Sequence, residues 1–212
     1  MKSNKLCVDN LKEEVKYFVD HLDIQKICFS MFDELNGYVF EDGITDSDYD
    51  FWNDALLYGK QIGNCLDKRI IGHLNKISEH TWRHGLDLSE VDCVSDFYDP
   101  NGYAIDFEFK STGVEKYHVD GITISPQRPN WSKTSAGGSK NGTKYSDDSI
   151  NEYEYCVFCG YHIPRNKDER LSINCIYVGI YRPSDLSFSK TSTGNGARIS
   201  SDKFNNQFVQ IY

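Results

Sequence analysis

Residues 96–110 read D-F-Y-D-P-N-G-Y-A-I-D-F-E-F-K, and their second half alternates strictly between apolar and charged side chains. A period of two predicts a β-strand with one buried face and one polar face. Because Pro100-Asn101-Gly102 is a turn signal, the stretch predicts a hairpin with this strand as its second arm. The apolar set is Ile105, Phe107 and Phe109, and the charged set is Asp106, Glu108 and Lys110.

The polar face of this strand carries a Glu-x-Lys sequence, Glu108 and Lys110, and Asp96 and Asp99 lie upstream across the turn. Two carboxylates and a lysine on neighbouring strands are able to hold a divalent cation beside an amine. A hard cation stabilises charge on phosphate oxygens and lowers the pKa of bound water, so the set suits phosphodiester hydrolysis. The alternative interpretation is an amphipathic strand whose charged face is only solvated.

The composition of the 212 residues is typical of one globular domain, and 14 Tyr and 12 Phe favour strands. The net charge of −9 argues against a protein that coats nucleic acid non-specifically, because phosphate binding requires clustered Lys and Arg. A locally basic cleft is compatible with that charge. No apolar run approaches about 18 residues and no apolar signal core is present, so we expect a cytoplasmic protein with no membrane partner.

The seven cysteines, an odd number without a signal peptide, predict free thiols. Cys156-x-x-Cys159 with His162 resembles half of a zinc site, but no second Cys/His pair of matching spacing follows. Zinc is therefore not predicted, and the segment favours a buried strand.

We predict an α+β fold in which N-terminal helices precede a mixed, mostly antiparallel sheet. Helical spacing covers residues 9–36 and 65–80, with a turn at residues 59–64. Residues 1–60 are expected to be either core cover or a dimer interface, and residues 90–212 are expected to hold the candidate catalytic hairpin and any recognition segment. Strand patterns cover residues 116–125, 153–163, 171–181 and 208–212.

Residues 127–152 form a polar, Gly/Ser-rich segment that is long for a connection within a compact domain. Such a segment is either functional or a solvated surface loop. Its basic residues are Arg128, Lys133, Lys140 and Lys144.

The order of these features resembles the PD-(D/E)XK nuclease superfamily, and within it the type II restriction endonucleases. The resemblance runs from Asp96 and Asp99 to the Phe-Glu-Phe-Lys-Ser sequence of residues 107–111, and the later I-Y-R-P-S-D-L sequence of residues 180–186 extends it. Residues 1–60 lie outside it. The resemblance implies a restriction-endonuclease-like core.

Carried over to this chain, the resemblance implies that Asp96 and Glu108 bind Mg²⁺ together with the main-chain carbonyl of Phe109. Lys110 would orient the attacking water and help to deprotonate it. Asp99 is implied as a supporting or alternative ligand, and Asp106 as a less favoured one. These roles agree with the preference of Mg²⁺ for carboxylates and with the ability of lysine to donate to an oxyanion.

The member of the family that this chain resembles reads DNA just after its catalytic strand, and the comparable place here is residues 122–130. Gln commonly pairs with adenine and Arg with guanine, whereas Ser and Thr serve either base. The histidine-rich reading stretch of that member is absent here, so the resemblance implies no recognition sequence. The candidates for base contacts are Thr123, Ser125, Gln127 and Arg128, and those for phosphate contacts include Lys133 and Lys140.

The function implied by the resemblance is a Mg²⁺-dependent, sequence-specific endonuclease on double-stranded DNA that leaves 5′-phosphate and 3′-hydroxyl ends. A homodimer would read a palindrome, with one cut per subunit. A cognate methyltransferase is expected in the same system, without a stable complex. Two other interpretations stay open: a repair or nicking nuclease of the same superfamily, and a non-enzymatic, strand-rich interaction protein.

Overall fold

The described part of the chain contains most of the predicted helical residues and the strands of the central sheet. Most of residues 127–152 lies outside the described part of the chain. The computed structural model describes residues 11–40, 55–86, 91–100, 102, 104–113, 117–119, 122–124, 130–132, 153–162, 169–188 and 196–212.

A six-stranded mixed sheet forms the centre of the fold. Its strands are β1 (Trp82–His84), β2 (Cys93–Ser95), β3 (Phe107–Gly113), β7 (Glu154–His162), β8 (Ser172–Tyr181) and β11 (Phe208–Gln210). They lie side by side in this same order, with β3 parallel to β7 and every other neighbouring pair antiparallel. The predicted α+β fold with a mixed, mostly antiparallel sheet after N-terminal helices is confirmed.

Two smaller sheets contain short strands that the sequence patterns did not separate. These strands are β4 (Tyr117–Val119), β5 (Ile122–Ile124), β6 (Asn130–Ser132), β9 (Leu186–Phe188) and β10 (Gly196–Ile199). β4 and β5 form an antiparallel pair, and β6, β10 and β9 form a three-stranded sheet in that order. The single strand predicted for residues 116–125 is therefore wrong, because the chain folds back between β4 and β5. The intervening sequence, Asp120-Gly121, is a strong hairpin signal.

Within the described ranges, three α-helices precede the sheet along the chain, and a fourth lies directly before its last strand, β11. They are α1 (Leu11–His21), α2 (Ile24–Phe40), α3 (Ala55–Ile77) and α4 (Ser201–Gln207). The helical pattern of residues 9–36 is thus divided, and Asp23 Oδ1 accepts a hydrogen bond from Lys26 N at 3.1 Å where α2 begins. In the ranges that the structure covers, no helix is both long and apolar enough to cross a membrane.

Helix α3 is continuous where the sequence predicted a turn. It runs through Gly59 and Gly63, so the turn predicted at residues 59–64 is wrong. A glycine costs a helix only about 1 kcal/mol, and burial of the apolar stripe of α3 outweighs that cost. Gly63 also permits a close approach to the sheet, because a Cβ added there would lie 3.4 Å from Ser111 Oγ.

One face of the central sheet packs against α1, α2 and α3 and forms the larger core. Ile105, Phe107 and Phe109, the apolar set of the predicted strand, are all buried there, as the alternation predicted. Phe18 of α1 contacts Phe107 edge to face, with ring centroids 5.5 Å apart, and stacks on Tyr155 of β7 at 5.0 Å. The apolar stripes of α1 and α2 therefore cover the core of their own chain.

The opposite face of the sheet forms a smaller core under α4, built around Phe158, Tyr181 and Phe204. Cys156 belongs to this smaller core and Cys159 to the larger one, because residues three apart on a strand point to opposite faces. The two thiols of the Cys-x-x-Cys sequence therefore cannot bind one metal ion together. The six described cysteines are free thiols.

The contact between β8 and β11 depends on a glycine. A Cβ added at Gly179 would overlap the ring of Phe208 and lie 2.7 Å from the carbonyl oxygen of Gln207. We expect Gly179→Ala to lower the free energy of unfolding by about 1–3 kcal/mol, the usual cost of overpacking a filled core. Urea denaturation followed by circular dichroism measures this change.

Gly72 of α3 supplies the matched control for this substitution. A Cβ added at Gly72 meets no atom within 4 Å. Gly72→Ala should raise the free energy of unfolding by roughly 0.5–1 kcal/mol, because alanine loses less backbone entropy in a helix than glycine. Equal effects of the two substitutions would contradict the packing described for β11.

Candidate functional site

The site is built where the start of β2 meets β3. The two strands are antiparallel, with Cys93 opposite Phe107. This register places the preceding residue, Asp92, next to Glu108. Since successive residues of a strand alternate between faces, Glu108 and Lys110 share the face opposite Phe107 and Phe109.

The side chains of Asp92, Glu108 and Lys110 form one connected cluster. Lys110 Nζ lies 2.7 Å from Glu108 Oε1 and 3.0 Å from Asp92 Oδ2. The main chain completes the cluster, because Asp92 N donates to Glu108 Oε2 at 3.3 Å and Phe109 N donates to Asp92 Oδ2 at 3.1 Å. Neighbouring strands thus hold two carboxylates and one ammonium in direct contact.

Because the cluster is largely buried, water screens the interactions between its charges only weakly. The side chain of Glu108 is 1% exposed and that of Lys110 is 18% exposed, whereas Asp92 is 39% exposed and opens the cluster to solvent. Burial alone lowers the pKa of the Lys110 ammonium, but the charges and hydrogen bonds of Glu108 and Asp92 outweigh it and raise that pKa above its usual range. Lys110 is therefore a firmly held cation between two carboxylates.

Asp67 of α3 adds a third carboxylate near the cluster. The side chain keeps contact with solvent. Its pKa is raised, first by burial of the carboxyl group and then by the negative charges of Asp92 and Glu108, while Lys110 opposes the shift. Asp67, Asp92 and Glu108 are thus three carboxyl groups around the one ammonium group of Lys110.

Asp96, predicted as a metal ligand, makes its contacts away from this cluster. Its side chain is 58% exposed, its Oδ1 accepts a hydrogen bond from Thr81 N at 2.8 Å, and the same oxygen lies 3.9 Å from His80 Nδ1. The hydrogen bond from Thr81 lowers the pKa of the Asp96 carboxyl. Asp92, four residues earlier, occupies the position beside Glu108 and Lys110 that the sequence analysis gave to Asp96.

Asp99 and Asp106, the two alternative carboxylates, have contacts of other kinds. Asp106 Oδ1 accepts a hydrogen bond from Ser95 N at 2.8 Å, which joins β2 to the residue before β3. Asp99 is buried at the predicted turn, where its carbonyl oxygen accepts from Gly102 N at 2.9 Å. Its negative charge adds to burial in raising the pKa of Glu14 on α1.

The predicted DNA-reading residues fall mostly outside the described part of the chain. Thr123 lies in β5, at the register position opposite His118 of β4. The residues that lie outside the described ranges are Ser125, Gln127, Arg128, Lys133 and Lys140.

The sequence around Asp92 also marks it as a candidate site residue. Asp92 stands between Val91 and Cys93, and both neighbours are buried. A charged residue inside a short apolar run marks a strand position whose side chain needs a partner. Asp96, by contrast, precedes an irregular segment. Nothing comparable marks Asp67, because a polar residue off the apolar stripe of a helix is ordinary.

The donor set fits Mg²⁺. This ion keeps several waters and commonly binds proteins through one or two carboxylates, so Asp92 and Glu108 are the side chains that would hold it. The main-chain carbonyl of Phe109, which the resemblance implies as a further ligand, lies in β3 between Glu108 and Lys110. Within the described ranges, no group of three or more His, Cys, Asp or Glu side chains is arranged to hold a metal ion.

Comparisons with known proteins give this chain no relative: no family model, no curated protein and no solved structure matches it.

Proposed function

We propose that the chain is a Mg²⁺-dependent phosphodiesterase that cleaves double-stranded DNA, with Asp92, Glu108 and Lys110 as its catalytic residues. The observation that carries the proposal is the position of Lys110 Nζ, which contacts the carboxylates of Glu108 in β3 and of Asp92, the residue before β2, at 3.0 Å or less. Two carboxylates and an ammonium at one point suit a reaction in which negative charge develops on phosphate oxygens.

Each residue of the cluster has a distinct role in this proposal. Asp92 and Glu108 would hold Mg²⁺, which lowers the pKa of bound water and neutralises charge on the phosphate. Lys110 donates hydrogen bonds to the attacking water and to the phosphate oxygen that gains charge. Its raised pKa favours this donor role over the removal of a proton. Asp67 lies close enough to influence the charge of the same site.

The finer form of the proposal is a type II restriction endonuclease of the PD-(D/E)XK superfamily. It would act as a homodimer on a specific sequence, leave 5′-phosphate and 3′-hydroxyl ends, and work beside a cognate methyltransferase. Support comes from the order of helices and sheet and from the Glu-x-Lys strand beside an upstream aspartate. The apolar stripes of α1 and α2 are buried in their own chain, so a dimer would use other surfaces.

Plasmid digestion tests this proposal. Purified protein incubated with plasmids of known sequence should give discrete fragments in Mg²⁺ and none in EDTA. Fragment mapping would then identify the recognition sequence and the cut positions. Nicked circles alone would favour a nicking or repair nuclease, whereas intact plasmid in the presence of folded protein and Mg²⁺ or Mn²⁺ would refute the proposal.

A further inference from the structure

A buried carboxylate holds two cationic side chains beyond the end of β8. Asp185 ends the 3-10 turn Pro183–Asp185, and its side chain is 1% exposed. It accepts hydrogen bonds from Arg182 Nη2 at 3.2 Å, from Lys203 Nζ at 2.7 Å and from Gln207 Nε2 at 3.1 Å. The main-chain N of Arg182 donates to it as well, at 3.0 Å. Both carboxylate oxygens are thus engaged, and each cation is fixed from one side.

The cluster carries one more positive than negative charge. Burial alone raises the pKa of the Asp185 carboxyl, but hydrogen bonds from Lys203, Arg182 and Gln207 outweigh it and lower that pKa to about 2. One carboxylate therefore faces two cations. The side chains of Arg182 and Lys203 are 36% and 46% exposed, so both keep a surface toward solvent. The chain as a whole has a net charge of −9, so two cations held on one carboxylate stand out.

Lys203 lies on the same face of the sheet as Glu108 and Lys110, whereas Arg182 lies at the end of β8. Glu108 pairs with Cys156 of β7, and Cys156 pairs with Gly179 of β8. Tyr181 follows two residues later on the same face, and Arg182, the next residue, stacks at the strand end on Tyr153, which packs against the larger core. By standard strand spacings, Arg182 is about 10 Å across the sheet and about 10 Å along it from Glu108. Lys203 belongs to α4, which packs on this face through Phe204.

The fixed orientation of Arg182 and Lys203 favours a phosphate-binding site over an ordinary solvated ion pair at the surface. The planar guanidinium of Arg182 also lies over the Tyr153 ring, with its Cζ 5.0 Å from the ring centroid, so two contacts fix its orientation. Fixing a long side chain before binding reduces the entropy that binding would otherwise cost. Arginine and lysine together offer a fork and a point charge to phosphate oxygens.

We propose that Arg182 and Lys203 bind a backbone phosphate of duplex DNA away from the cut site, and that Asp185 positions them. This inference rests on the proposed function, because the duplex is placed by the phosphodiester that Asp92, Glu108 and Lys110 act on. Arg182 and Lys203 touch the DNA, whereas Asp185 is a positioning residue that acts through them. The contact reads no base, so it strengthens binding to every sequence alike.

The salt dependence of DNA binding tests the proposal. A short fluorescein-labelled duplex of mixed sequence is titrated with protein in Ca²⁺ at several salt concentrations, and anisotropy gives the binding constant. Each phosphate contact contributes about 0.9 to the slope of log K against log salt, so Arg182→Gln and Lys203→Gln should each reduce the slope by about 1. Unchanged slopes in both variants would overturn the proposal.

Lys16→Gln is the matched control, because it removes the same charge from α1 on the opposite face of the sheet. The side chain of Lys16 is 75% exposed and pairs only loosely with Asp20, at 3.6 Å. For Lys16→Gln, the slope of log K against log salt should equal that of the wild type. A reduction as large as that of Lys203→Gln would show a general charge effect and would also overturn the proposal.

Asp185→Asn distinguishes the positioning role of Asp185 from the effect of its negative charge on DNA binding. Removing a negative charge should tighten DNA binding if only net charge matters, whereas loss of positioning should weaken it. Tighter binding by folded Asp185→Asn protein would refute the positioning role; if the variant does not fold, the Arg182 and Lys203 variants decide.

The same measurements separate this inference from the proposed function. If the protein cleaves DNA but Arg182→Gln and Lys203→Gln keep the wild-type slope, only this inference is refuted. Reduced slopes in a protein that binds but never cleaves would refute only the proposed function.

Discussion

Asp92→Asn is expected to abolish DNA cleavage, whereas Asp96→Asn should leave it close to the wild-type rate. Asp92 Oδ2 contacts Lys110 Nζ and accepts from Phe109 N, so the substitution removes one of the two carboxylates around Lys110. We expect a loss of at least about a hundredfold in the rate of plasmid cleavage, the scale on which single catalytic electrostatic contacts act.

The two variants are closely matched, because each replaces aspartate by its amide and they lie four positions apart. Asp96 is 58% exposed and contacts Thr81 and His80, so its loss affects only the segment around them. Initial rates on supercoiled plasmid at saturating Mg²⁺, with circular dichroism to confirm folding, give the comparison. A fast Asp92→Asn enzyme beside a dead Asp96→Asn enzyme would reverse the assignment and restore the one made from sequence.

Phe18→Ala is expected to cause the largest loss of stability. Phe18 is fully buried between Phe107 and Tyr155 and joins α1 to the central strands of the sheet. Replacing a buried phenylalanine by alanine usually costs about 3–5 kcal/mol, through lost transfer energy and the cavity left behind. Urea denaturation should therefore show a large fall in the midpoint.

Tyr98→Ala is the control for Phe18→Ala, because it also replaces an aromatic ring by a methyl group but at a position that is 56% exposed. Its free energy of unfolding should change by no more than about 0.5 kcal/mol. A small effect of Phe18→Ala, similar to that of Tyr98→Ala, would mean that α1 does not belong to the main core.

The sequence predicted the parts of the fold that depend on local patterns. Alternation gave the buried face of β3, and a continuous apolar run gave β7, because a strand buried on both faces needs apolar residues throughout. The pattern of β8 also predicted a strand, but only its last four residues are buried on both faces. The pairing of Glu108 with Lys110 followed from their spacing, since residues two apart on a strand share a face. These features require no knowledge of distant contacts.

The remaining features depend on how distant segments meet. Asp92 reaches Glu108 because β2 and β3 pair with Cys93 opposite Phe107, and nothing in residues 96–110 fixes that register. Asp67 interacts electrostatically with the same cluster although it belongs to α3, which is distant from the cluster in sequence. The continuity of α3 through Gly59 and Gly63 also reflects packing, since propensity alone favours a break there. Tertiary contacts thus decided the residues that local patterns left open.

Direct measurement of cation binding tests the central claim, that Asp92 and Glu108 form a divalent-cation site. Calorimetric titration of Mn²⁺, a common substitute for Mg²⁺, should show saturable binding to the wild-type protein and to Asp96→Asn. Glu108→Gln should bind at least about tenfold more weakly, because even residues that only support a ligand affect metal affinity on that scale. Equal affinity of Glu108→Gln and wild type would contradict the account.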